Sequence, residues 1–227
     1  MKDSLNTDIY QSWPYKVEDN FLSDDLFASV LQFSKQYKKS LNIDPNNVYS
    51  SSNKIYSDGR IVSSTLPTKL IEMLNKECHQ KMMGYLENFC PKKIPLYNYS
   101  DFQIVLTGKN YSFPVHQDVP IKLLSCVVYI APEKNTGTKI HSNKSGSNVS
   151  EIKWQQNRAL LFSRKENSTW HSYSGDGIST RTALIYNLCT LNPKMAYKAE
   201  GAIMSYYKEL YAYNIRKIKN IVRPFFK

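Results

Sequence analysis

Apolar residues recur at helical spacing near the start of the chain. After Ser23 and Asp24, either of which can cap a helix, they follow at intervals of three and four, at Leu26, Val30, Phe33 and Tyr37. This pattern predicts a helix that ends by Ser40. The residues before it, 1–20, are predicted to form an arm with a short strand at Tyr15 to Val17.

A second helix is predicted from about Pro67 to Phe89. Proline suits the first turn of a helix, and Pro91 follows the last residue, where it stops further helical growth. The segment between the two helices, 41–64, is polar and contains Asp58-Gly59. Such a segment predicts a loop with one strand around Asn53 to Tyr56.

From residue 102 to residue 190 the apolar residues form short runs typical of strands. The polar, lysine-rich segment 131–154 interrupts these runs. It is long for a hairpin connection and is read either as a lid over a site or as a solvated loop.

Two side chains of metal-ligand type lie together in this region. His116 and Asp118 are two residues apart, and alternate residues of a strand face the same side, so an imidazole and a carboxylate are expected side by side. A third ligand type, His171, precedes the turn-forming segment 174–177. A hairpin folded back at Asp176 would place His171 directly opposite Arg181, about 5 Å away.

Two histidines and one carboxylate are the facial set of non-heme Fe(II) oxygenases. Zinc enzymes also use two histidines and a carboxylate, but zinc has no inherent need for a neighbouring arginine. A keto acid on iron does need one, because its far carboxylate must be held at a fixed distance from the metal by a planar guanidinium such as that of Arg181.

The ordered set resembles the 2-oxoglutarate/Fe(II)-dependent dioxygenase superfamily, and within it the prolyl-4-hydroxylase-like branch. That branch has HxD, a histidine some fifty residues later and an arginine ten residues after that, and the resemblance covers about 90 residues. Further matching features are Gln103, Tyr129-Ile130-Ala131, Gly137-Thr138 and the run Arg158 to Phe162. The branch's arginine-tyrosine pair after the glutamine is replaced here by Leu106-Thr107.

The resemblance implies an α+β, mainly β fold: a double-stranded β-helix (jelly roll, cupin-like) with supporting N-terminal helices and a C-terminal helix. It implies that His116, Asp118 and His171 bind Fe(II), and that Arg181, with Tyr129 and Ser125 beside it, binds 2-oxoglutarate as cosubstrate. O₂ is the second cosubstrate, and ascorbate is expected as an accessory reductant. The activity implied is hydroxylation of a C–H bond with release of succinate and CO₂.

The 227 residues suit a single dioxygenase domain: an arm and helices over 1–92, the β-helix core over 93–192 and a basic C-terminal helix over 193–227. The sequence has no run of about 18 apolar residues that would cross a membrane, and acidic residues interrupt the first twenty positions, so no signal peptide is expected. The four cysteines lack zinc-type spacing. A cytoplasmic protein with reduced thiols is therefore expected.

The positive charge is concentrated at the end of the chain. Of the net charge of +11, the segment 193–227 carries +6, from eight Lys or Arg against two Glu. Its apolar residues recur at near-helical spacing, at Ile203, Tyr207, Leu210, Tyr211, Ile218, Ile221 and Val222. Such a basic helix either docks an anionic partner or packs its apolar face on the domain.

The substrate is not encoded in these motifs. A small molecule, a glycan or a protein side chain is the first hypothesis. One alternative is a nucleic-acid-modifying oxygenase, favoured by the positive charge, although the R-x5-R pattern of the alkylation-repair dioxygenases is missing after His171. The other alternative is a non-catalytic β-helix binding module, although the three ligands and the arginine are all present.

Overall fold

The computed structural model describes residues 13–222, with side chains as far as Lys217. The helices are α1 (Asp24–Lys39), α2 (Thr68–Phe89), α3 (Pro193–Ala199) and α4 (Ile203–Val222), and a 3-10 helix spans Pro91–Leu96. The strands are β1 (Lys16–Glu18), β2 (Val48–Tyr49), β3 (Asn53–Tyr56), β4 (Ile61–Val62), β5 (Tyr99–Thr107), β6 (Ser112–His116), β7 (Lys122–Ala131), β8 (Thr138–His141), β9 (Ser150–Ile152), β10 (Ala159–Phe162), β11 (Trp170–Ser174) and β12 (Arg181–Cys189).

The strands form two antiparallel sheets. The major sheet has the order β1-β10-β7-β12-β5-β3-β4, with β2 also paired to β5, and the minor sheet has the order β6-β11-β8-β9. Side chains of both sheets meet in one core cluster, in which Tyr129 and Phe162 of the major sheet pack with Ile140 and Ile152 of the minor sheet. This is the two-sheet arrangement of a jelly roll, and it confirms the predicted fold class.

Alternation along β5 shows why the major sheet has two different faces. Phe102, Ile104 and Leu106 are fully buried and point to one side, where α1 and α2 contribute Val30 and Leu74 to the same core. The intervening residues of β5 point to the other side, towards the minor sheet, and they include Gln103 and Thr107. The helices thus cover the outer face and leave the inner face for a site.

Both N-terminal helices form where the sequence predicts them. Ser23 is the N-cap of α1, with its Oγ accepting a hydrogen bond from the backbone N of Leu26 at 3.4 Å, and the helix ends at Lys39. The second helix begins at Thr68, directly after Pro67, and ends at Phe89. The short N-terminal strand is Lys16–Glu18, one residue later than predicted, and the first part of the predicted arm, residues 1–12, lies outside the described residues.

The two segments read as loops contain more strands than predicted. Residues 41–64 hold β2, β3 and β4, of which only β3 was expected. Residues 131–154 hold β8 and β9, which complete the minor sheet and do not form a lid. At the start of β8, a Cβ on Gly137 would lie 1.7 Å from the backbone oxygen of Ile152, so this close pairing with β9 depends on glycine.

The predicted C-terminal helix is two helices, α3 and α4, separated at Gly201, whose φ is +73°. Several apolar side chains in the described part of α4 are exposed, since Tyr207 is 45% exposed and Leu210 is 41% exposed. The predicted contributions of Ile218, Lys219 and Arg223 lie outside the described side chains. No helix between residues 13 and 222 is long and apolar enough to cross a membrane.

A buried ionic network joins the start of this C-terminal part to the rest of the fold. The Glu200 carboxylate pairs with Arg164 and lies 2.9 Å from the Nζ of Lys93, and all three side chains are at most 3% exposed. Arg164 also pairs with Glu166, and its Nε donates to the backbone oxygen of Asp118 at 3.0 Å. The network therefore braces the segment that carries one of the predicted metal ligands.

Replacing Glu200 with alanine should destabilise the protein by about 3–5 kcal/mol, because a buried lysine and a buried arginine would lose a shared counter-charge. The free energy of unfolding from urea denaturation measures this change. The control, Glu209→Ala, removes an exposed carboxylate of α4 and should cost at most about 1 kcal/mol. Equal effects of the two substitutions would contradict a stabilising role for the network.

Candidate metal centre and cavity

The three predicted metal ligands meet at one end of the minor sheet. His116 is the last residue of β6, and His171, on the neighbouring β11, pairs directly opposite it. Asp118 lies just beyond the end of β6, outside the strand that the sequence predicted for it. The candidate ligand atoms of the three residues lie within 4.8 Å of one another. Among the described residues, this is the only group of histidine, cysteine or acidic side chains with such spacing.

Backbone contacts set the orientation of both imidazoles. The Nδ1 of His116 lies 2.9 Å from the carbonyl oxygen of Pro114, and the Nδ1 of His171 lies 2.9 Å from that of Thr169. A carbonyl only accepts, so each Nδ1 carries the proton and each Nε2 keeps its lone pair. Metal-binding histidines commonly make such a contact through the ring nitrogen that does not bind the metal.

Both histidines are neutral near pH 7. Burial, together with the proximity of His171, lowers the pKa of His116 to about 4. Burial also lowers the pKa of His171, although the Asp118 carboxylate opposes that shift. Neutral imidazoles are the form that binds a metal ion, so no proton has to leave them first at neutral pH.

The Asp118 carboxylate is buried but remains ionised. Its Oδ1 lies 2.6 Å from the Nζ of Lys122, and its Oδ2 accepts a hydrogen bond from the Ser125 Oγ at 2.6 Å. Burial by itself would raise the pKa of Asp118, but the Lys122 ammonium and these hydrogen bonds outweigh it and hold the pKa well below its usual value. The site therefore offers one anionic and two neutral donors.

A cavity of about 260 Å³ extends from this cluster between the two sheets. Its wall includes the three candidate ligands. It also includes polar side chains from both sheets, namely Gln103, Lys122, Ser125, Thr138, Tyr173 and Arg181. Its lining also includes the apolar side chains of Val105, Val127 and Ala183. The volume suits a small ligand with polar ends, near the lower limit for ligand pockets.

Arg181 is a buried cation inside this cavity. The residue is 3% exposed, and its guanidinium carbon lies 4.4 Å from the ring centre of Tyr173, 5.3 Å from Trp154 and 5.5 Å from Tyr129. One of its terminal nitrogens donates to the Thr138 Oγ1 at 3.4 Å, while the buried Nε has no hydrogen-bond partner in the part of the chain that the structure describes. No carboxylate among the described residues forms an ion pair with it. A buried cation with an unused donor is suited to an anionic ligand.

The predicted hairpin between His171 and Arg181 is wrong. His171 belongs to β11 of the minor sheet, whereas Arg181 begins β12 of the major sheet and is paired with Thr107 of β5. The turn segment around Asp176 carries the chain from one sheet to the other. The two residues still line one cavity, because the cavity has residues of both sheets in its wall.

Two further residues, Ser125 and Tyr129, are predicted to bind 2-oxoglutarate, and they lie in different surroundings. Ser125 lines the cavity, but its hydroxyl is bonded to Asp118. Tyr129 is fully buried, its ring stacks on Trp154, and its hydroxyl donates to the Thr138 Oγ1 at 3.0 Å. Both hydroxyl groups already have partners in the protein, and their contact with 2-oxoglutarate stays a prediction.

The site also contains Lys122, Thr138 and Tyr173, which the sequence motifs did not predict as members of it. Tyr173 had a signal, since it lies two residues after His171 and so shares its face in a strand. Lys122 also had one, because it opens an otherwise apolar strand. Thr138 had none beyond its place in the glycine-threonine turn, because its role depends on contacts with the major sheet.

No protein-family model matches the chain, and no curated protein matches its sequence. Solved structures do match its fold. A prolyl hydroxylase from Trichoplax adhaerens, in complex with a hypoxia inducible factor oxygen degradation domain peptide fragment, is 14% identical and superposes with a TM-score of 0.56 over 79% of this chain and 85% of that one. The chain has the fold of the 2OG-Fe(II) oxygenases. A Burkholderia pseudomallei oxidoreductase of the 2OG-Fe(II) oxygenase family is likewise 14% identical, with a TM-score of 0.51 over 77% of this chain and 84% of that one.

Metal binding should depend little on pH above 6, because the pKa of His116 is about 4, burial lowers the pKa of His171, and the pKa of Asp118 is held well below its usual value. Protons compete with the metal only as the pH falls through those values, whereas histidines of ordinary pKa would begin to lose the metal near pH 6.5. Calorimetric titration with Co(II) between pH 8 and pH 5 tests this. A tenfold loss of affinity between pH 7.5 and pH 6 would contradict this prediction, because it would mean that His116 and His171 have ordinary pKa values.

Proposed function

We propose that this protein is a 2-oxoglutarate- and Fe(II)-dependent oxygenase. It would insert one oxygen atom of O₂ into a C–H bond of its substrate and use the other to convert 2-oxoglutarate into succinate and CO₂. The substrate class remains a small molecule, a glycan or a protein side chain. The observation that carries the proposal is that the His116, Asp118 and His171 cluster and the unpaired, buried Arg181 line one cavity.

The residues present fit the metal. Two neutral imidazoles and one ionised carboxylate are the donors that non-heme Fe(II) takes from proteins, and a set of three leaves coordination positions for other ligands. When bound there, iron with 2-oxoglutarate supplies the oxidising chemistry. The protein's own part is to hold the metal with His116, Asp118 and His171 and to orient the ligands around it.

The residues present also fit the cosubstrate. The planar guanidinium of Arg181 can bind the distal carboxylate through two parallel hydrogen bonds, and its Nε is available for one of them. The apolar wall formed by Val105, Val127 and Ala183 would face the methylene groups and keep water away from them. Ascorbate as an accessory reductant stays a prediction.

Formation of succinate from 2-oxoglutarate, measured with Fe(II) in air, tests the proposal. Turnover without any added substrate would already separate an enzyme from a non-catalytic binding module. The peptide bound by the Trichoplax prolyl hydroxylase supports including proline-containing peptides among the substrates tested. Complete absence of succinate with metal-loaded protein and a broad substrate set would contradict an oxygenase.

The docking of an anionic partner by α4 is a second proposal. The described part of α4 leaves Tyr207, Leu210 and Tyr211 exposed beside Lys208 and Arg216, so both apolar and basic side chains are accessible. Binding to a labelled oligonucleotide and to anionic lipid vesicles should weaken steeply as salt is added, because each neutralised phosphate releases counterions.

A triple variant, in which Lys208, Arg216 and Lys217 become glutamine, should reduce both the affinity and its dependence on salt. Its melting temperature should stay near that of the parent, because these side chains are exposed or nearly so. Salt-independent binding by the parent, or no binding, would contradict the docking proposal. Cytoplasmic localisation likewise stays a prediction.

A further inference from the structure

Lys122 lies beside the candidate metal centre without being one of its ligands. It is the first residue of β7 and lines the cavity, and its side chain is 23% exposed. Its Nζ lies 2.6 Å from the Oδ1 of Asp118. Since Ser125 donates to the Oδ2 at 2.6 Å, both oxygens of the only anionic ligand already have partners.

This arrangement suits the site when it holds no metal. Asp118 is 9% exposed, and a buried carboxylate without a counter-charge would be costly. Lys122 supplies the counter-charge, and Ser125 supplies a hydrogen bond. Together they hold the carboxylate in place next to His116 and His171.

The same arrangement opposes the metal. A divalent ion at the cluster needs a lone pair of Asp118 and places two positive charges close to the Lys122 ammonium. Two positive groups next to the same carboxylate repel each other strongly in a partly buried site, because water screens them poorly there. The ion and the ammonium therefore compete for one carboxylate.

We propose that Lys122 is a positioning residue that occupies Asp118 in the metal-free protein and is displaced from it when a divalent ion binds. This inference rests on the proposed function, because it uses the same metal site. It goes beyond that function in assigning Lys122 two opposite effects, stabilisation of the empty site and weakening of its affinity for metal.

Calorimetric titration with Co(II), a redox-stable substitute for Fe(II), tests the inference without any turnover. Lys122→Met keeps the length of the side chain and removes its charge, and it should bind Co(II) about tenfold more tightly or better. Lys122→Arg keeps the charge and should bind like the parent. Lys92→Met removes an exposed lysine far from the cluster in sequence and should also bind like the parent.

The direction of the change distinguishes this role from a structural one. If Lys122 only supported the fold of the site, its loss would weaken metal binding. The melting temperature gives a second readout: metal-free Lys122→Met should melt below the parent, and saturating Co(II) should raise its melting temperature by more than it raises that of the parent. If Lys122→Met does not fold, Lys122→Gln, which is neutral but keeps a hydrogen-bond donor, should bind Co(II) more tightly in the same way.

Weaker or unchanged Co(II) binding by the neutral variants would overturn the inference and leave the proposed function intact. Co(II) binding by the parent that His171→Ala does not alter would instead overturn the assignment of the metal site, and the role of Lys122 with it. The two failures therefore give different results in the same titration.

Discussion

Replacing His171 with alanine should abolish succinate formation and weaken metal binding by more than about a hundredfold. The estimate follows because changing even the partners of metal ligands costs roughly 10- to 100-fold, and His171 is proposed to be a ligand itself. His171 pairs with His116 across neighbouring strands, and no other described histidine belongs to the cluster that could replace it. Anaerobic protein with Fe(II) and 2-oxoglutarate should show the weak visible charge-transfer band of a chelated keto acid, and His171→Ala should lack it.

His141→Ala is the matched control for this experiment. His141 is also a buried histidine of the minor sheet, on the strand next to β11, and its Nε2 lies 2.8 Å from the Ser172 Oγ. It lies outside the metal cluster, so its loss should lower stability but leave the visible band in place. An unchanged band in His171→Ala would remove His171 from the set of ligands.

Replacing Arg181 with alanine should raise the concentration of 2-oxoglutarate required for half-maximal turnover by roughly ten- to a hundredfold. A charge-assisted hydrogen-bonded pair of this kind contributes about 1.5–3 kcal/mol. The reason lies in the site itself, since no other arginine lines the cavity and the Nε of Arg181 lacks a partner among the described residues. Fluorescence or calorimetric titration of 2-oxoglutarate into the metal-loaded protein measures the same loss without turnover.

Arg181→Lys should restore the affinity for 2-oxoglutarate only in part, because an ammonium cannot form the two parallel hydrogen bonds of a guanidinium. Arg60→Ala, which removes an exposed arginine, should leave the affinity unchanged. Since the Arg181 side chain also packs against Tyr173 and Trp154, a melting curve must accompany the titration. Folded Arg181→Ala with the affinity of the parent would mean that another residue binds the distal carboxylate.

The helices were predictable because their signals are local. The Ser23 cap and the spacing from Leu26 to Tyr37 lie within one segment, and helix formation depends mainly on neighbours three and four residues away. The short strands were not predictable in the same way. The two residues of β2 and the three of β9 carry too few positions to show a period, and they exist because β5 and β8 offer them backbone partners.

The prediction of one continuous C-terminal helix was wrong, whereas docking by its basic residues stays a prediction. A charge count over residues 193–227 indicated one basic element, but Glu200 within that range makes buried contacts with Lys93 and Arg164. Those partners lie far away in sequence, so the periodicity of the segment could not reveal them. The segment is therefore part support for the domain and part exposed helix.

Sequence alone determined the chemical set: two histidines, an aspartate and an arginine in a fixed order, within a chain whose apolar pattern changes from helical to strand-like. The resemblance based on that order predicted a double-stranded β-helix, and the structure confirms this fold. Only the tertiary structure decided how the set meets. It paired His116 with His171 across β6 and β11, placed Arg181 on the opposite sheet, and brought Lys122 to Asp118. Spacing along a chain records which residues share an element, whereas contacts between sheets depend on how the whole sandwich packs.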